Sequence, residues 1–542
     1  MILFGLGRLL VLLVIVVKTL RVRIFILNFG KVVSPSIHLS ILIFKPMFLP
    51  SFLLKILAKK NFKKCSLDSN FTLSNQQKVF KQIVLNGSRS SFAKDFGISK
   101  SISYNKFINR VPLLSYEDFK KYINRISLGE KNILTSGAPS YFAITSGTTS
   151  GTKYIPLTKE MMNMQTRAIK ELLLLYAYQK NYYNIVGAGM MFIQGSPSLR
   201  RFNNMPYGKL SGIAAHHVPF YLKKNRFPSM ETNQITPWGE KIKLIAKETI
   251  NKDMHIIGGI PPWVITYFKE LLSLARCERV KDVFPNLQVY IHGGTSFESY
   301  KKNFFKLCGS VDTLEVYPAS EGFFAYQDVI EDKALKLLTN HGVFYEFVSL
   351  DDYNAGLEQN RVPVEGVDLN IDYVMIVTTI AGLWSYNTGD TVRFVSKNPY
   401  KILFSGRASQ FCSTFGEHVI EKEVLSSLEE AVLCFGGVVV EFTVAPYISD
   451  SISCHQWFVE FSVAPNSISS FRKKLCETMR RQNPYYKDLV DSGVIKTLEL
   501  KPVKSGGFAA YMKSIGKFGG QNKCPHLTNN RSIADFLIKN YV

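Results

Sequence analysis

Apolar positions follow two kinds of spacing along the chain. Gln76 to Leu85 has the i, i+3, i+4 spacing of an amphipathic helix. Short apolar stretches bounded by polar residues predict buried strands, and helical spacing returns between them. This alternation predicts an α/β sheet. The predicted strands of this region are Phe142–Ile144, Gly187–Ile193, Leu287–His292, Leu314–Val316 and Val374–Thr379. The predicted helices include Trp263–Ala275 and one that Thr158 caps and that runs through Leu172 to Leu175.

The pattern changes after Gly406-Arg407. Helices and alternating strands now form a small α+β unit, and no internal repeat is present. Its predicted elements are helix Ile420–Ala431, strands Val438–Val444 and Gln456–Val463, helix Ile468–Gln482 and strand Val494–Leu500. We therefore predict three segments: an extension over 1–45, a large domain over 46–405 and a C-terminal domain over 406–542.

Composition supports a folded chain with a basic surface. The 542 residues are 46% hydrophobic and 13% aromatic, which argues against disorder. The net charge of +24 can attract nucleic acid, anionic lipid or nucleotide phosphates. Zinc-finger spacing and an aromatic–basic RNA signature are both missing, so we expect no nucleic-acid partner. The eight scattered cysteines contain no C-x-x-C pair and indicate reduced thiols without a metal site.

The N-terminal stretch is unusual. Residues 1–64 carry eleven Lys or Arg and no Asp or Glu. Within them Leu9 to Val17 is uninterruptedly apolar, but as a helix it would be only about 14 Å long, against a hydrocarbon core of about 30 Å. Three interpretations stay open for residues 1–45: a basic membrane-surface segment, a targeting sequence, or an extension outside the catalytic fold, including a misplaced start codon.

A Thr/Ser/Gly loop from Thr145 to Lys153 lies between two strand candidates. Consecutive small residues let backbone N–H groups converge on an anion. The loop is not a Walker A motif, because only three residues separate Gly147 from Gly151 and Tyr154 follows Lys153. Alone, the loop is also compatible with a flexible linker. The candidate phosphate-binding residues are Thr145, Ser146, Gly147, Thr148, Thr149, Ser150, Gly151 and Lys153.

Two further clusters follow predicted strands. In Tyr317–Gly322 a carboxylate beside an aromatic ring could hold Mg²⁺ while the ring packs against a base; the alternative is a surface turn. In Gly382–Asp390 the final carboxylate could accept the hydroxyls of a ribose; the alternative is an ordinary Gly-Asp hairpin.

These clusters occur in order, together with several shorter motifs. The additional motifs are Gly258–Trp263, His292–Thr295, Phe404–Arg407, Phe415–His418 and Gly519–Pro525. From about Gln76 to its C-terminus the chain resembles the plant auxin-responsive acyl acid–amido synthetase family and its bacterial relatives, and it looks closer to the bacterial branch. That family belongs to the adenylate-forming superfamily.

The resemblance implies a large adenylate-forming domain of mixed sheets and helices and a small mobile α+β C-terminal domain. It implies that a carboxylic acid is activated with ATP and Mg²⁺ as acyl-AMP, with release of pyrophosphate, and that the acyl group passes to an amine such as an amino acid. We expect a cytoplasmic monomer, with association to a membrane surface through residues 1–45 left open.

The resemblance also implies roles for individual residues. Lys523 would reach the reacting phosphate and carboxylate, and Glu321 would bind Mg²⁺. The adenine- and ribose-binding residues would be Gly293, Gly294, Thr295, Tyr317, Asp390 and Arg407. Position between motifs suggests Ser196, His216 and Trp263 as contacts of the acyl substrate.

Some positions depart from the family pattern. Ser385 and Asn387 stand where a more basic stretch is expected, and His526 stands where an Arg is common. These departures leave the acceptor open. The alternatives are an acyl-CoA ligase of the same superfamily and a catalytically silent membrane-surface binding protein.

Overall fold

The structure is a computed structural model that describes most of the chain from residue 48 onward. The described ranges are 48–146, 152–185, 187–218, 223–235, 238–294, 297–407, 411–412, 419–448, 452–491, 495–516, 523–528 and 530–542. Residues Pro50–Val542 form one compact unit. The extension over 1–45 lies outside the described ranges, so its three interpretations stay predictions. Among the described helices, none is both long and apolar enough to cross a membrane.

Helices open the described chain. They are α1 Phe48–Asn70, α2 Thr72–Gly87, α3 Ser91–Asp95, α4 Tyr104–Arg110 and α5 Tyr116–Ser127. The first of them is part of the folded body, because Leu54, Ala58 and Cys65 are buried in a core cluster with Leu172 and neighbouring residues. The predicted helix Gln76–Leu85 is confirmed within α2.

The middle of the chain alternates strands and helices. Up to residue 260 the elements are β1 Tyr141–Ser146, β2 Thr152–Leu157, α6 Lys159–Gln179, β3 Gly189–Ile193, β4 Arg200–Phe202, β5 Met205–Lys209, α7 Leu210–His216, β6 Arg226–Phe227, α8 Met230–Gln234, α9 Trp238–Thr249 and β7 Met254–Gly259. Those that follow are α10 Pro261–Ala275, α11 Val280–Val283, β8 Val289–Gly293, α12 Glu298–Cys308, β9 Asp312–Pro318, β10 Phe323–Tyr326, β11 Leu335–Leu337, β12 Val343–Ser349, α13 Leu350–Asn354, β13 Val362–Pro363, β14 Asp372–Thr379, β15 Tyr386–Lys397 and β16 Tyr400–Arg407.

These strands form two sheets. The smaller has the order β2-β1-β5-β4, and the larger has the order β13-β12-β14-β15-β16-β11-β10-β9-β8-β7-β3-β6. In the larger sheet β6, β3, β7, β8 and β9 run parallel, whereas the strands from β10 to β16 pair antiparallel. The carboxyl ends of the parallel strands share one edge, where open α/β sheets bind ligands.

The C-terminal region contains its own small sheet. Its elements are β17 Phe411–Cys412, β18 Val419–Ile420, α14 Glu421–Phe435, β19 Val438–Ile448, β20 Ser453–Val463, α15 Ile468–Gln482, α16 Pro484–Asp491, β21 Glu499–Val503, α17 Gly507–Ser514 and α18 Ser532–Asn540. β19, β20 and β21 form a three-stranded sheet. The α+β character is as predicted; the boundary between residues 405 and 406 stays a prediction.

One predicted strand is misplaced. The pattern predicts a strand over Val494–Leu500, but among the described residues the pairing with β20 starts only where Glu499 lies opposite Gln456. Before that point the backbone N–H of Lys496 donates to the Ser453 carbonyl, and Ile495 and Leu498 are buried in the C-terminal core. Their apolar character reflects core packing rather than strand pairing.

Candidate active site

Two of the predicted nucleotide-binding residues touch directly. The hydroxyl of Tyr317 on β9 donates to Oδ2 of Asp390 on β15 at 2.6 Å. Three strands separate β9 from β15 in the sheet, so a flat sheet would hold them about 19 Å apart. The contact therefore requires the sheet to curl back on itself, which turns distant parts of the sequence into one wall of the site.

A local distortion of β15 aims the Asp390 side chain. Three residues of β15, from Thr388 to Asp390, lie opposite the single residue Met375 of β14, which makes a bulge, and Gly389 has a φ of +74° that favours glycine. The Thr388 hydroxyl donates to the Met375 carbonyl at 2.7 Å and accepts from the Asp390 N–H at 3.1 Å. The Gly-Asp pair is therefore a bulge within a strand rather than a hairpin. Across the ladder Asp390 lies opposite Arg407.

The Tyr317 ring is fixed by two aromatic neighbours. It meets Phe324 of β10 edge to face at 5.2 Å between centroids, and Phe404 of β16 at 5.6 Å. Glu321 lies half-buried in the turn that joins β9 to β10, four residues beyond Tyr317. The cluster Tyr317–Gly322 is therefore a connection between two strands of the large sheet, not an isolated surface turn.

The glycine pair at the end of β8 is demanded by close packing. A Cβ on Gly293 would lie 2.3 Å from the carbonyl oxygen of Val316, and Gly294 has a φ of +79°. The Nζ atom of Lys523 lies 3.9 Å from the position that a Cβ would take on Gly294. The lysine of the C-terminal region thus reaches the carboxyl edge of the large sheet, next to β9.

The charge at this turn comes from Lys523. His292, directly before Gly293, is buried, and burial together with Lys301 lowers its pKa to about 3. Its imidazole is therefore neutral at neutral pH. Lys523 is exposed, whereas Asp390 is buried.

The remaining candidates are only partly described. Thr145 and Ser146 end β1, and Lys153 is on β2 with its ammonium 5.9 Å from the Tyr116 ring centroid. Residues 147–151 and Thr295 lie outside the described ranges, as does the motif Phe415–His418. The strands of the phosphate-loop candidate are therefore placed, and its tip is not.

Two of the three suggested acyl contacts are neighbours. Nε2 of His216 in α7 lies 2.7 Å from the carbonyl oxygen of Pro197, and Ser196 precedes that proline. A Cβ on Gly212 would come within 2.4 Å of the Ser196 carbonyl, so α7 packs tightly on this loop. Trp263 lies in the first turn of α10 and packs against the core beneath β3 and β7.

Three cations that the sequence does not single out lie near the loop that follows β3 and contains Ser196. They are Lys209, Arg226 and Lys241. They lie on three different elements, β5, β6 and α9, and no local motif connects them. Their spacing in the sequence follows no known motif, because only the fold brings these three side chains together.

Known protein families match along most of the chain. Residues 63–237 match the GH3 family N-terminal domain, 336–407 the central domain and 422–532 the C-terminal domain. The chain belongs to the GH3 family.

Curated relatives and solved structures agree with this family. The GH3 chain is 22% identical to the jasmonoyl–L-amino acid synthetase JAR4 of Nicotiana attenuata, over 86% of this chain and 93% of that protein. It is 23% identical to the indole-3-acetic acid-amido synthetase GH3.15 of Arabidopsis thaliana, over 86% and 92%.

The fold is shared with two solved enzymes. A GH3.15 acyl acid amido synthetase structure in complex with 2,4-DB has a TM-score of 0.73 at 17% identity and covers 92% of this chain and 98% of its own. A postadenylation-state structure of 2-hydroxyisobutyryl-CoA ligase has a TM-score of 0.56 at 11% identity, over 87% and 91%. The predicted family, fold and enzyme class, an adenylate-forming ligase, are confirmed; the bacterial branch stays a prediction.

Proposed function

We propose that this GH3 protein is an acyl acid–amido synthetase. It adenylates a carboxylic acid with ATP, releasing pyrophosphate, and transfers the acyl group to an amine, in particular an amino acid. The observation that carries the proposal is the convergence of Lys523, Gly294, Tyr317 and Asp390 at one edge of the large sheet. These residues come from three distant parts of the sequence, and the family resemblance assigns all of them to ATP or to the reacting groups.

The arrangement suits a nucleotide. Asp390, held by the Tyr317 hydroxyl, is an acceptor for ribose hydroxyls, and Gly294 lies beside the Lys523 ammonium at the same edge of the sheet. Arg407 lies opposite Asp390 on the neighbouring strand, where the family places its hinge. Thr145, Ser146 and Lys153 flank the loop that would hold the phosphates.

Adenylation brings two anions together, because the acid carboxylate attacks the α-phosphate. The Lys523 ammonium at Gly294 would offset the negative charge as the new P–O bond forms and the bond to pyrophosphate breaks. Removing one such preorganised group costs about 10²–10³ in rate. The amine nitrogen then forms a bond to the acyl carbon, and AMP leaves.

The chain's donors fit a magnesium ion that arrives with ATP. Among the described residues no group of three or more His, Cys, Asp or Glu would hold a metal alone. Mg²⁺ is usually bound by one or two carboxylates together with substrate phosphates, and Glu321 would supply the carboxylate. The ion would neutralise phosphate charge.

The test is acid-dependent release of pyrophosphate from ATP and Mg²⁺ by the full chain, over aryl, indole and fatty acids. We expect release that falls at least a hundredfold in Lys523→Ala and in Glu321→Ala. Lys539→Ala, which removes an exposed lysine of α18, serves as the matched control. Amino acids should speed turnover. Turnover that responds to coenzyme A instead would identify an acyl-CoA ligase, and no release from any acid would refute the proposal.

A further inference from the structure

Three cationic side chains surround the loop that follows β3. Lys241 of α9 donates to the carbonyl oxygens of Gln194 and Asn233 at 3.0 and 2.8 Å. Arg226 of β6 donates to Oε1 of Gln194 at 3.4 Å. The Lys209 side chain lies across Gly195, with its Cδ 2.9 Å from the position of a Cβ there. We call these three side chains the cation cluster.

The cation cluster is buried or half-buried, and no opposite charge is paired with it among the residues that the structure describes. Lys241 is only 2% exposed, and Lys209 and Arg226 are half-buried. In the part of the chain that the structure describes, no Asp or Glu pairs with any of the three. Burial lowers the pKa of Lys209. Burial and the nearby Lys209 lower the pKa of Lys241 to about 8, and burial lowers that of Arg226 to about 10, so Lys241 and Arg226 are charged at neutral pH. Buried charges are normally paired, since desolvation costs several kcal/mol per ion.

The position of the cluster connects it to the candidate active site. Ile193 pairs with Gly259, and Gly258 pairs with Ile291, so Gln194 is level with Gly293 two strands away. Two strand spacings are about 10 Å. On the other side, Lys209 lies opposite Ile144, directly before the start of the phosphate loop. Gln194, which Lys241 and Arg226 both contact, therefore lies at the carboxyl edge of the parallel strands, about two strand spacings from the glycine pair beside Lys523.

The surroundings favour an organic anion over the triphosphate of ATP. The loop follows Ile193, which belongs to an apolar core cluster with Ile242, and a few polar groups set in apolar surroundings suit an organic substrate. The deepest cation, Lys241, is fixed by two carbonyl groups. Such a recessed position is poorly suited to pyrophosphate, which must leave in every turnover.

We propose that Lys209, Arg226 and Lys241 form a subsite for a carboxylate other than the one that is adenylated. The carboxylate belongs either to the amino acid acceptor or to an acid that carries a second carboxylate. A carboxylate accepts several charge-assisted hydrogen bonds, and both the guanidinium and the ammonium groups supply them. The inference rests on the proposed function and specifies its substrates: at least one of the two organic reactants is anionic away from the reacting atoms.

The experiment compares matched substrates in the full chain. Dicarboxylic acids are tested against monocarboxylic acids of equal chain length, and amino acids against the amines formed from them by decarboxylation. The variants are Lys209→Met and Arg226→Met, with the exposed Lys224→Met as control. Lys209→Arg and Arg226→Lys keep the charge and report whether a loss comes from folding.

We expect the Met variants to raise the KM of the carboxylate-bearing partner of one pair at least tenfold, with little effect on its matched partner, and the charge-conserving variants to retain most of the affinity. An effect within the acid pair assigns the subsite to the acid; one within the amine pair assigns it to the acceptor. An equal effect on both members of each pair, or a rise in the KM for ATP instead, overturns the subsite.

Calorimetric titration with the same carboxylates, without ATP, separates this inference from the proposed function. Wild-type protein that binds the carboxylates more tightly than Arg226→Met supports the subsite even if no acid releases pyrophosphate. Equal binding by the two proteins counts against the subsite even if adenylation is found.

Discussion

His526 lies three residues after Lys523, and its imidazole contacts two carboxylates that hold this segment in place. These contacts predict a pH-dependent stability. Nδ1 of His526 lies 2.8 Å from Oε1 of Glu421, and Nε2 lies 3.2 Å from Oε1 of Glu441. The ring also stacks on Phe442, at 4.4 Å and 8°. Burial by itself would lower the pKa of His526, but the two carboxylates outweigh burial and raise it to about 10.

The sign of the effect follows from the raised pKa. An unfolded histidine titrates near 6.5, so the stabilisation is fully present below pH 6.5 and is lost as the pH rises to about 10. The loss is about 1.4 kcal/mol per pH unit, or about 4 kcal/mol between pH 6.5 and 9.5. An arginine at this position would keep its charge, offer five donors and stack on Phe442, so His526→Arg should not show this loss.

The assay is urea unfolding of the wild type and of His526→Arg at several pH values from 6 to 10. Other groups titrate in both proteins, so the difference between the two free energies of unfolding isolates the imidazole. We expect His526→Arg to gain on the wild type by about 4 kcal/mol from pH 6.5 to 9.5. At pH 7, His526→Gln should lose about 3 kcal/mol, because both carboxylates keep their charge without the cation. A difference between wild type and His526→Arg that stays constant with pH would refute this account.

Three further substitutions test two residues of the site and one glycine of the core. Tyr317→Phe removes the donor to Asp390, and we expect the KM for ATP to rise about tenfold in steady-state kinetics, since a hydrogen bond to a charged group contributes about 1.5 kcal/mol or more. Gly294→Ala forces a side chain into a φ of +79°, which should cost about 1–2 kcal/mol in urea unfolding and slow pyrophosphate release. Gly87→Ala would place a Cβ 2.2 Å from the Trp384 ring and should destabilise the protein by about 1–3 kcal/mol; a changed KM for ATP in this variant would mean that the kinetic effects of the others are not specific.

The spacing of apolar residues correctly predicted the helices that bury one apolar face. The helix Ile468–Gln482 has the predicted bounds, and Trp263–Ala275 only starts earlier, at Pro261, because proline suits the first turn of a helix. The prediction for Val494–Leu500 is right only from Glu499 onward, because Ile495 and Leu498 supply an alternating apolar pattern through core packing and not through a paired strand. Local pattern therefore locates burial better than it locates hydrogen-bonding partners.

Contacts within the site could not be derived from the sequence in the same way. The Tyr317–Asp390 bond joins residues that are 73 positions apart and depends on the curl of a sheet whose strand order no local signal encodes. The family resemblance assigns both Tyr317 and Asp390 to nucleotide binding, but it does not indicate that their side chains are in contact. Similarly, the sequence left a Gly389-Asp390 hairpin open, because a glycine with positive φ occurs both in tight hairpins and in glycine bulges.

The net charge of +24 shows why position matters more than total charge. From composition alone, every lysine and arginine is equally suited to nucleic acid, lipid or phosphate. In the fold, Lys223 and Lys224 are exposed, so water solvates their charges. Lys241 of α9 is buried, so water does not solvate its charge. Among the described residues no carboxylate pairs with this buried ammonium, and we infer that a ligand supplies the anion. For an enzyme that joins an acid to an amine, a substrate carboxylate is the simplest source of that anion. Candidate acids and acceptors that carry an additional carboxylate should therefore be screened before aromatic acids without one.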